Sequence, residues 1–346
     1  MKNITLTITL SALCIPFLGF SQMDGTFSQF MNSPLEINPA NTGHFQGTVR
    51  AGANFRRQWE NIATPYQNIG AWGDAQIIKD LFDKDIFSLG VNVNQDQVGN
   101  SEFSRLDAGV NLGYTKIMDR KAEHFISLGA RVGYGQHSIS SGGLTWDNQW
   151  TPTGFNTGLP TGENDVNENL SFMNFGGGVK YFYGNQEGTI KAYGGAAMYH
   201  INRPDVGFFN QEINLDRRFI YETGFFYKAD NEVLIFHPQA FWMQQGVQRN
   251  VIIGSDLRFI LSGATRNTGF LNEVTLALGL YHRLGDSFIP MVKLATGGFE
   301  LGISYDATVG NLTRINNGFG GPEFSLIYKA KYKSGTGKRG VNPKFL

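Results

Sequence analysis

From Gly47 onward the chain alternates apolar and polar positions with a period of two. Between Phe125 and His137, Ile126, Leu128, Ala130, Val132 and Tyr134 fall on one face. Ser127, Gly129, Arg131, Gly133 and Gly135 fall on the other. Leu106, Ala108, Val110, Leu112 and Tyr114 alternate in the same way with Arg105, Asp107, Gly109, Asn111 and Gly113. Successive side chains of a strand point to opposite sides, so this period predicts strands and not helices. Fourteen such segments are expected, near 47–59, 67–78, 86–95, 103–116, 123–137, 172–184, 188–200, 217–229, 232–244, 248–261, 272–284, 287–296, 298–309 and 322–333. Many are long enough for a tilted membrane strand, which needs about 9 to 11 residues. Globular strands average about 5 to 6. The pattern therefore predicts an all-β chain: a transmembrane antiparallel β-barrel of about 14 strands in a bacterial outer membrane, apolar face outward and polar face to the lumen. Glu232 to Gln244 fits less well, with Phe236, Phe241 and Trp242 spread over both faces. Pro238 and Pro290 each remove a ladder donor and are expected at bulges or strand ends.

The connections follow the asymmetry of such barrels. With the N-terminus in the periplasm, odd-numbered connections face outward. They include the longest, Ser138 to Ser171, and also Ile201 to Asp216 and Gly310 to Gly321. Even-numbered ones include the tight turns 184–187 and 229–232. Neither terminus is expected outside the cell. Tyr181, Phe182, Tyr183, Tyr328 and Tyr332 gather near strand ends, as an interfacial aromatic girdle would.

The segments outside the barrel change the picture at both ends. Lys2 followed by an uncharged run to Phe20, with Gly19 and Ser21 before Gln22, has the layout of a cleavable export signal over residues 1–21. The single Cys, Cys14, falls inside it, so the exported chain is expected to lack thiol chemistry. Residues 22–46 form a leader or plug, too short for a domain. Its turn-forming Asn38-Pro39-Ala40-Asn41-Thr42-Gly43 is expected to fold into the barrel mouth near Arg50, Asn54 and Arg56. The barrel is expected over 47–333, with a polar, basic periplasmic tail at 334–346.

Composition agrees. Among 346 residues there are 44 Gly and 28 Phe, with only 17% charged. The formal net charge of zero argues against a nucleic-acid partner. Mean hydropathy is −0.22, and no apolar run beyond the signal is long enough for a helical span.

Chemistry is sparse. The six His residues lack metal-ligand spacing, and Gly176-Gly177-Gly178 lacks the features of a phosphate loop. His137 and Ser138 are adjacent, whereas a His–Ser pair on one face of a strand needs a spacing of two. Glu163, Asp165 and Glu168 in the long loop do not follow a calcium-loop order. No enzyme activity, metal or cofactor is expected. Trp146 and Trp150 in that loop are candidate partner contacts, the other reading being that they pack back into the lumen.

The segment Phe27-Ser28-Gln29-Phe30-Met31, then Pro34-Leu35 and Ile37-Asn38-Pro39-Ala40-Asn41-Thr42-Gly43, resembles the N-terminal signature of the PorP/SprF family. These are outer-membrane proteins of the type IX secretion system in the Bacteroidetes. Asn54-Phe55-Arg56-Arg57-Gln58-Trp59 is similar to the family's strand ending in R-x-Q-W. Leu301 to Asp306 and Phe324 to Tyr328 resemble its C-terminal strands. The resemblance implies an accessory barrel that works with the type IX translocon components. It would assist export or surface attachment of a large secreted adhesin-type client through the client's C-terminal signal domain, in gliding motility or adhesion. Membrane lipid would surround it. The candidate partner-binding or plug residues are Asn38, Pro39, Asn41, Gly43, Arg56, Gln58 and Trp59 from these motifs, with Trp146 and Trp150 from the long loop. The rival reading is an outer-membrane channel or a transporter of hydrophobic substrates resembling fatty-acid transporters.

Overall fold

The computed structural model describes residues 24–61, 64–99, 103–140, 144–162, 167–209, 211–229, 233–262, 273–310 and 313–330. The export signal, Cys14, Glu163, Asp165, Tyr332 and the C-terminal tail lie outside them. Fourteen strands form the wall: β1 (Val49–Gln58), β2 (Tyr66–Lys79), β3 (Asp85–Val98), β4 (Phe103–Ile117), β5 (His124–Ser138), β6 (Asn169–Gly184), β7 (Ile190–Tyr199), β8 (Arg218–Lys228), β9 (Leu234–Gln245), β10 (Gln248–Ser262), β11 (Val274–Arg283), β12 (Ser287–Thr296), β13 (Phe299–Thr308) and β14 (Phe319–Ala330). Each pairs antiparallel with the next, and β14 pairs back onto β1, with Val49 opposite Ala330. The sheet thus closes and leaves no edge. The segments of period-two alternation are these strands.

Burial is inverted relative to a soluble protein. On β3, Leu89, Val91 and Val93 face outward and are exposed, while Ser88 and Asn92 between them are buried. On β5, Leu128 and Val132 face outward and Arg131 is buried. Only a lipid solvent makes this arrangement favourable.

At one end the strands are joined by short turns such as 80–84, 185–189 and 297–298. At the other lie the long connections 139–168, 200–217 and 309–318. The longest carries a two-residue hairpin, Trp150–Thr151 against Gly154–Phe155.

Three local expectations are sharpened or corrected. Pro238 and Pro290 sit inside strands, not at their ends. Pairing on one side skips them: β8–β9 partners run from Gly224↔Gln239 to Tyr227↔Phe236, and β12–β13 partners from Phe288↔Ala307 to Met291↔Ser304. Phe182 is no girdle residue. It is buried, with its ring 5.0 Å from that of His44 inside the barrel. The two-faced pattern of β9 has a cause in the lumen. Phe241 and Met243 point inward there and pack on Phe30 of the N-terminal segment.

Candidate functional site

Residues 24–46 lie inside the barrel. They form three short helical turns, Phe30–Asn32, Pro34–Ile37 and Pro39–Asn41, and almost every residue is buried. Two Pro residues start turns because a first-turn position needs no backbone donor. Asn38 caps the last turn, accepting from the Ala40 amide at 2.9 Å.

The strand glycines make room for this segment. A methyl on Gly129 of β5 would overlap the Pro39–Ala40 peptide, and one on Gly113 of β4 would lie 2.6 Å from the Thr42 carbonyl oxygen. A methyl on Gly178 of β6 would overlap the Asn38 side chain. The glycine excess on the lumen face is thus a groove for backbone.

At the tight-turn half, the sequence motif is tied to the wall. Asn38 Nδ2 donates to the Val179 carbonyl at 3.2 Å. Asn41 accepts from Lys180 Nζ at 2.7 Å. Gly43, with φ of +76° and no space for a Cβ, donates its amide to Asp74 at 2.7 Å. Asp74 also pairs with Arg50 at 2.9 Å. Burial holds the His44 ring well below the ordinary imidazole range, reinforced by the Lys180 and Arg50 charges.

At the long-loop half, Asp306 of β13 gathers the segment. It accepts from Arg56 Nη2 at 2.6 Å, Gln58 Nε2 at 2.8 Å, Ser28 Oγ at 2.8 Å and Arg283 Nη1 at 2.9 Å. Arg56 also donates to the Thr26 carbonyl at 2.6 Å. The amides of Ser28 and Gln29 both donate to Glu323, at 2.7 and 2.8 Å. In low dielectric such charge-assisted bonds are strong, and removing one partner is costly. Phe30 stacks on Phe241 with centroids 5.1 Å apart.

The described part of the segment begins at the long-loop end; the N-terminus expected in the periplasm lies outside the described residues. Asp24 contacts His200 Nε2 at 2.7 Å, just past the end of β7, and Arg218 at 3.2 Å, the first residue of β8. Burial works against its charge, but His200 and Arg218 outweigh it and hold the Asp24 carboxyl well below the usual range. Glu36, buried in the middle, is pushed up to about 8 by desolvation.

The structure thus brings Asn38, Pro39, Asn41, Gly43, Arg56 and Gln58 to the lumen. Trp59 stands on the rim, its ring 5.8 Å from that of Tyr66. Trp150 is 64% exposed on the long loop, against Phe155 at 5.7 Å, and Trp146 is half-buried there. Among the described residues, no hydrogen bond or ring contact joins either Trp to the plug. Sequence reasoning missed Asp24, Ser28, Glu36, Arg283 and Glu323. The isolated inward charges of the strands were the available signal, but alternation alone does not say which of them meet.

The sequence profile of PorP/SprF, described as type IX secretion system membrane protein PorP/SprF, matches residues 19–328. The chain belongs to the PorP/SprF family. It is therefore a barrel of the type IX secretion system in the outer membrane, with short turns toward the periplasm and long loops outward. The family is one of secretion-system membrane barrels, not a known enzyme family. No curated protein matches the chain. Among solved structures it is similar to a FadL homologue from Pseudomonas aeruginosa (8% identity, TM-score 0.48, 86% of this chain and 94% of that one). It is also similar to the TodX deltaS2S3 mutant monoaromatic hydrocarbon channel (9%, 0.46, 86% and 92%). CdiB from Escherichia coli matches at 7% identity and a TM-score of 0.44, with 81% of this chain spanning 63% of that one.

Proposed function

We propose that this barrel is a holding platform: it assists export or surface attachment of a large secreted adhesin-type client, which it engages through the client's C-terminal signal domain. One observation carries this reading. The lumen is occupied by the chain's own residues 24–46, tied by hydrogen bonds to buried charged side chains at both halves: Asp74 and Lys180 at one, Asp306, Glu323 and Arg56 at the other. What remains for a partner is the outer face. There Trp150 is 64% exposed, Ile315 66% and Phe319 56%. Exposed aromatic and aliphatic side chains on rigidly held loops are what a protein partner needs. Conduction or passage of a hydrophobic substrate is less well supported. The inner wall is lined by buried Asn68, Asp74, Asn92, Arg131 and Asp256, a polar surface. Gliding motility or adhesion would follow from the client's own activity.

Deleting residues 143–165 tests the platform directly. Barrel assembly is checked by heat-modifiable mobility on gels, and surface display of the client by antibody on intact cells. Display should fall while assembly persists. Undiminished display with the loop gone would remove the long loop from the account.

A further inference from the structure

The plug leaves a chamber unfilled. It lies in the periplasmic half, between the plug and the inner faces of β1, β2, β6 to β10 and β12 to β14, with about 110 Å³ of free space. That is room for several waters or a small organic ion.

Its charges do not close. Arg50, Lys180, Arg258, Lys293 and Lys329 line it. Four have a carboxylate: Asp74 at 2.9 Å, Glu222 at 3.3 Å, Asp256 at 3.0 Å and Glu300 at 3.9 Å, respectively for Arg50, Lys180, Arg258 and Lys329. Within 4 Å Lys293 has only a share of Asp256, 3.7 Å from its Nζ and beyond hydrogen-bond reach, while the more distant Glu300 is shared with Lys329. Asp256 is already occupied by Arg258, by the Tyr281 hydroxyl and by the Gln239 amide. The Lys293 side chain is 5% exposed, and its Nζ has no hydrogen-bond acceptor.

A second orphan donor belongs to a residue of the same lining. His237 Nδ1 lies 2.9 Å from Arg258 Nη2. A guanidinium only donates, so Nδ1 accepts and the ring proton sits on Nε2. That Nε2 is buried without a partner. His237 and Lys293 flank the same Asp256 oxygen, at 3.9 and 3.7 Å. The orphan acceptor of the chamber's lining, Glu222 Oε1, lies against Gly195 on the opposite wall.

We infer that the chamber binds a small carboxylate, whose two oxygens accept from Lys293 Nζ and His237 Nε2 and whose charge balances Lys293. A buried cation without a counter-charge is costly, and two buried donors without acceptors add to that cost. A monoanion with two acceptor atoms resolves both at once. Access is from the periplasmic end, where the Lys329 and Glu300 side chains are 35% and 19% exposed.

The test uses the full-length protein in detergent, with acetate as the probe and chloride keeping ionic strength constant. Loss of β-sheet circular dichroism on heating gives Tm, and isothermal titration gives affinity. Acetate should raise Tm in a saturable way, since a ligand of the folded state stabilises it. Lys293→Met should abolish the rise while being at least as stable as the wild type in chloride, because it removes the unbalanced charge. His237→Phe, which keeps Lys293, should bind acetate about tenfold or more weakly, the effect of one lost hydrogen bond to a charged group. No saturable response in the wild type, or the same response in wild type and both variants, would overturn the assignment.

Discussion

Gly129 shows how closely single residues fix the state of the lumen. Its missing side chain lets the Pro39–Ala40 peptide touch the β5 backbone. Gly129→Val should expel that stretch, because backbone cannot give way as a side-chain tip can. Chymotrypsin, which finds Phe27, Phe30 and Phe45 in the plug, should then cut a plug that resists it in the wild type. Arg56 is the charged counterpart. Arg56→Ala leaves Asp306 with Arg283 alone and Glu323 without its nearest cation. It also removes the bond to the Thr26 carbonyl, and that loss should cost about 1.5 to 3 kcal/mol of plug anchoring, as for a hydrogen bond from a charged group. The same protease assay would then show faster cleavage, and an unchanged rate would deny Arg56 an anchoring role. Glu36 gives a pH signature. Docked, it keeps its proton up to about pH 8; released, it loses it near 4.5. Its contribution is therefore present in acid and lost as pH rises through that window. His44, held neutral by burial, acts in the opposite sense below its ordinary value of 6.5. Between 6.5 and 8 Glu36 is not offset by His44, and protease protection of the plug should weaken as pH rises. Glu36→Gln should flatten that part of the profile.

The elements differ in how far their sequence reveals them. The strands were legible because a lipid outside and a polar interior force strict alternation over ten or more residues. Even β9, where alternation blurs, blurs for a reason: Phe241 and Met243 are apolar on the lumen face because Phe30 packs on them. A single-strand reading has no access to that partner. Phe182 was misread for the same reason, since its inward ring meets His44 and not the membrane interface. The plug's turn chemistry at Asn38 to Gly43 was readable, but its path was not. That path depends on pairings such as Ser28 with Asp306 and Gln29 with Glu323, which span nearly the whole chain. The plug should also govern permeability. Deleting residues 24–46 should turn an ion-tight barrel into a conducting one in planar bilayers. Equal conductance with and without the segment would mean that it does not seal the lumen.

For the whole molecule, the plug enters β1 from the periplasmic end yet begins near the outer rim, where Asp24 meets His200 and Arg218. The chain thus occupies its own lumen along its length and presents its long loops outward. On the proposed reading, a barrel built this way holds a partner. The client of the proposed reading is not written in the sequence, because the loops that reading assigns to recognition, such as 139–168, follow no periodic rule. The most direct measurement is affinity purification of the full-length barrel from native outer membranes, with identification of what stays bound. The account predicts a large secreted protein carrying a type IX C-terminal signal domain, together with translocon components, and loss of that client when residues 143–165 are deleted. A hydrophobic small molecule in the lumen with no such protein, or a client retained equally by the deleted barrel, would contradict it.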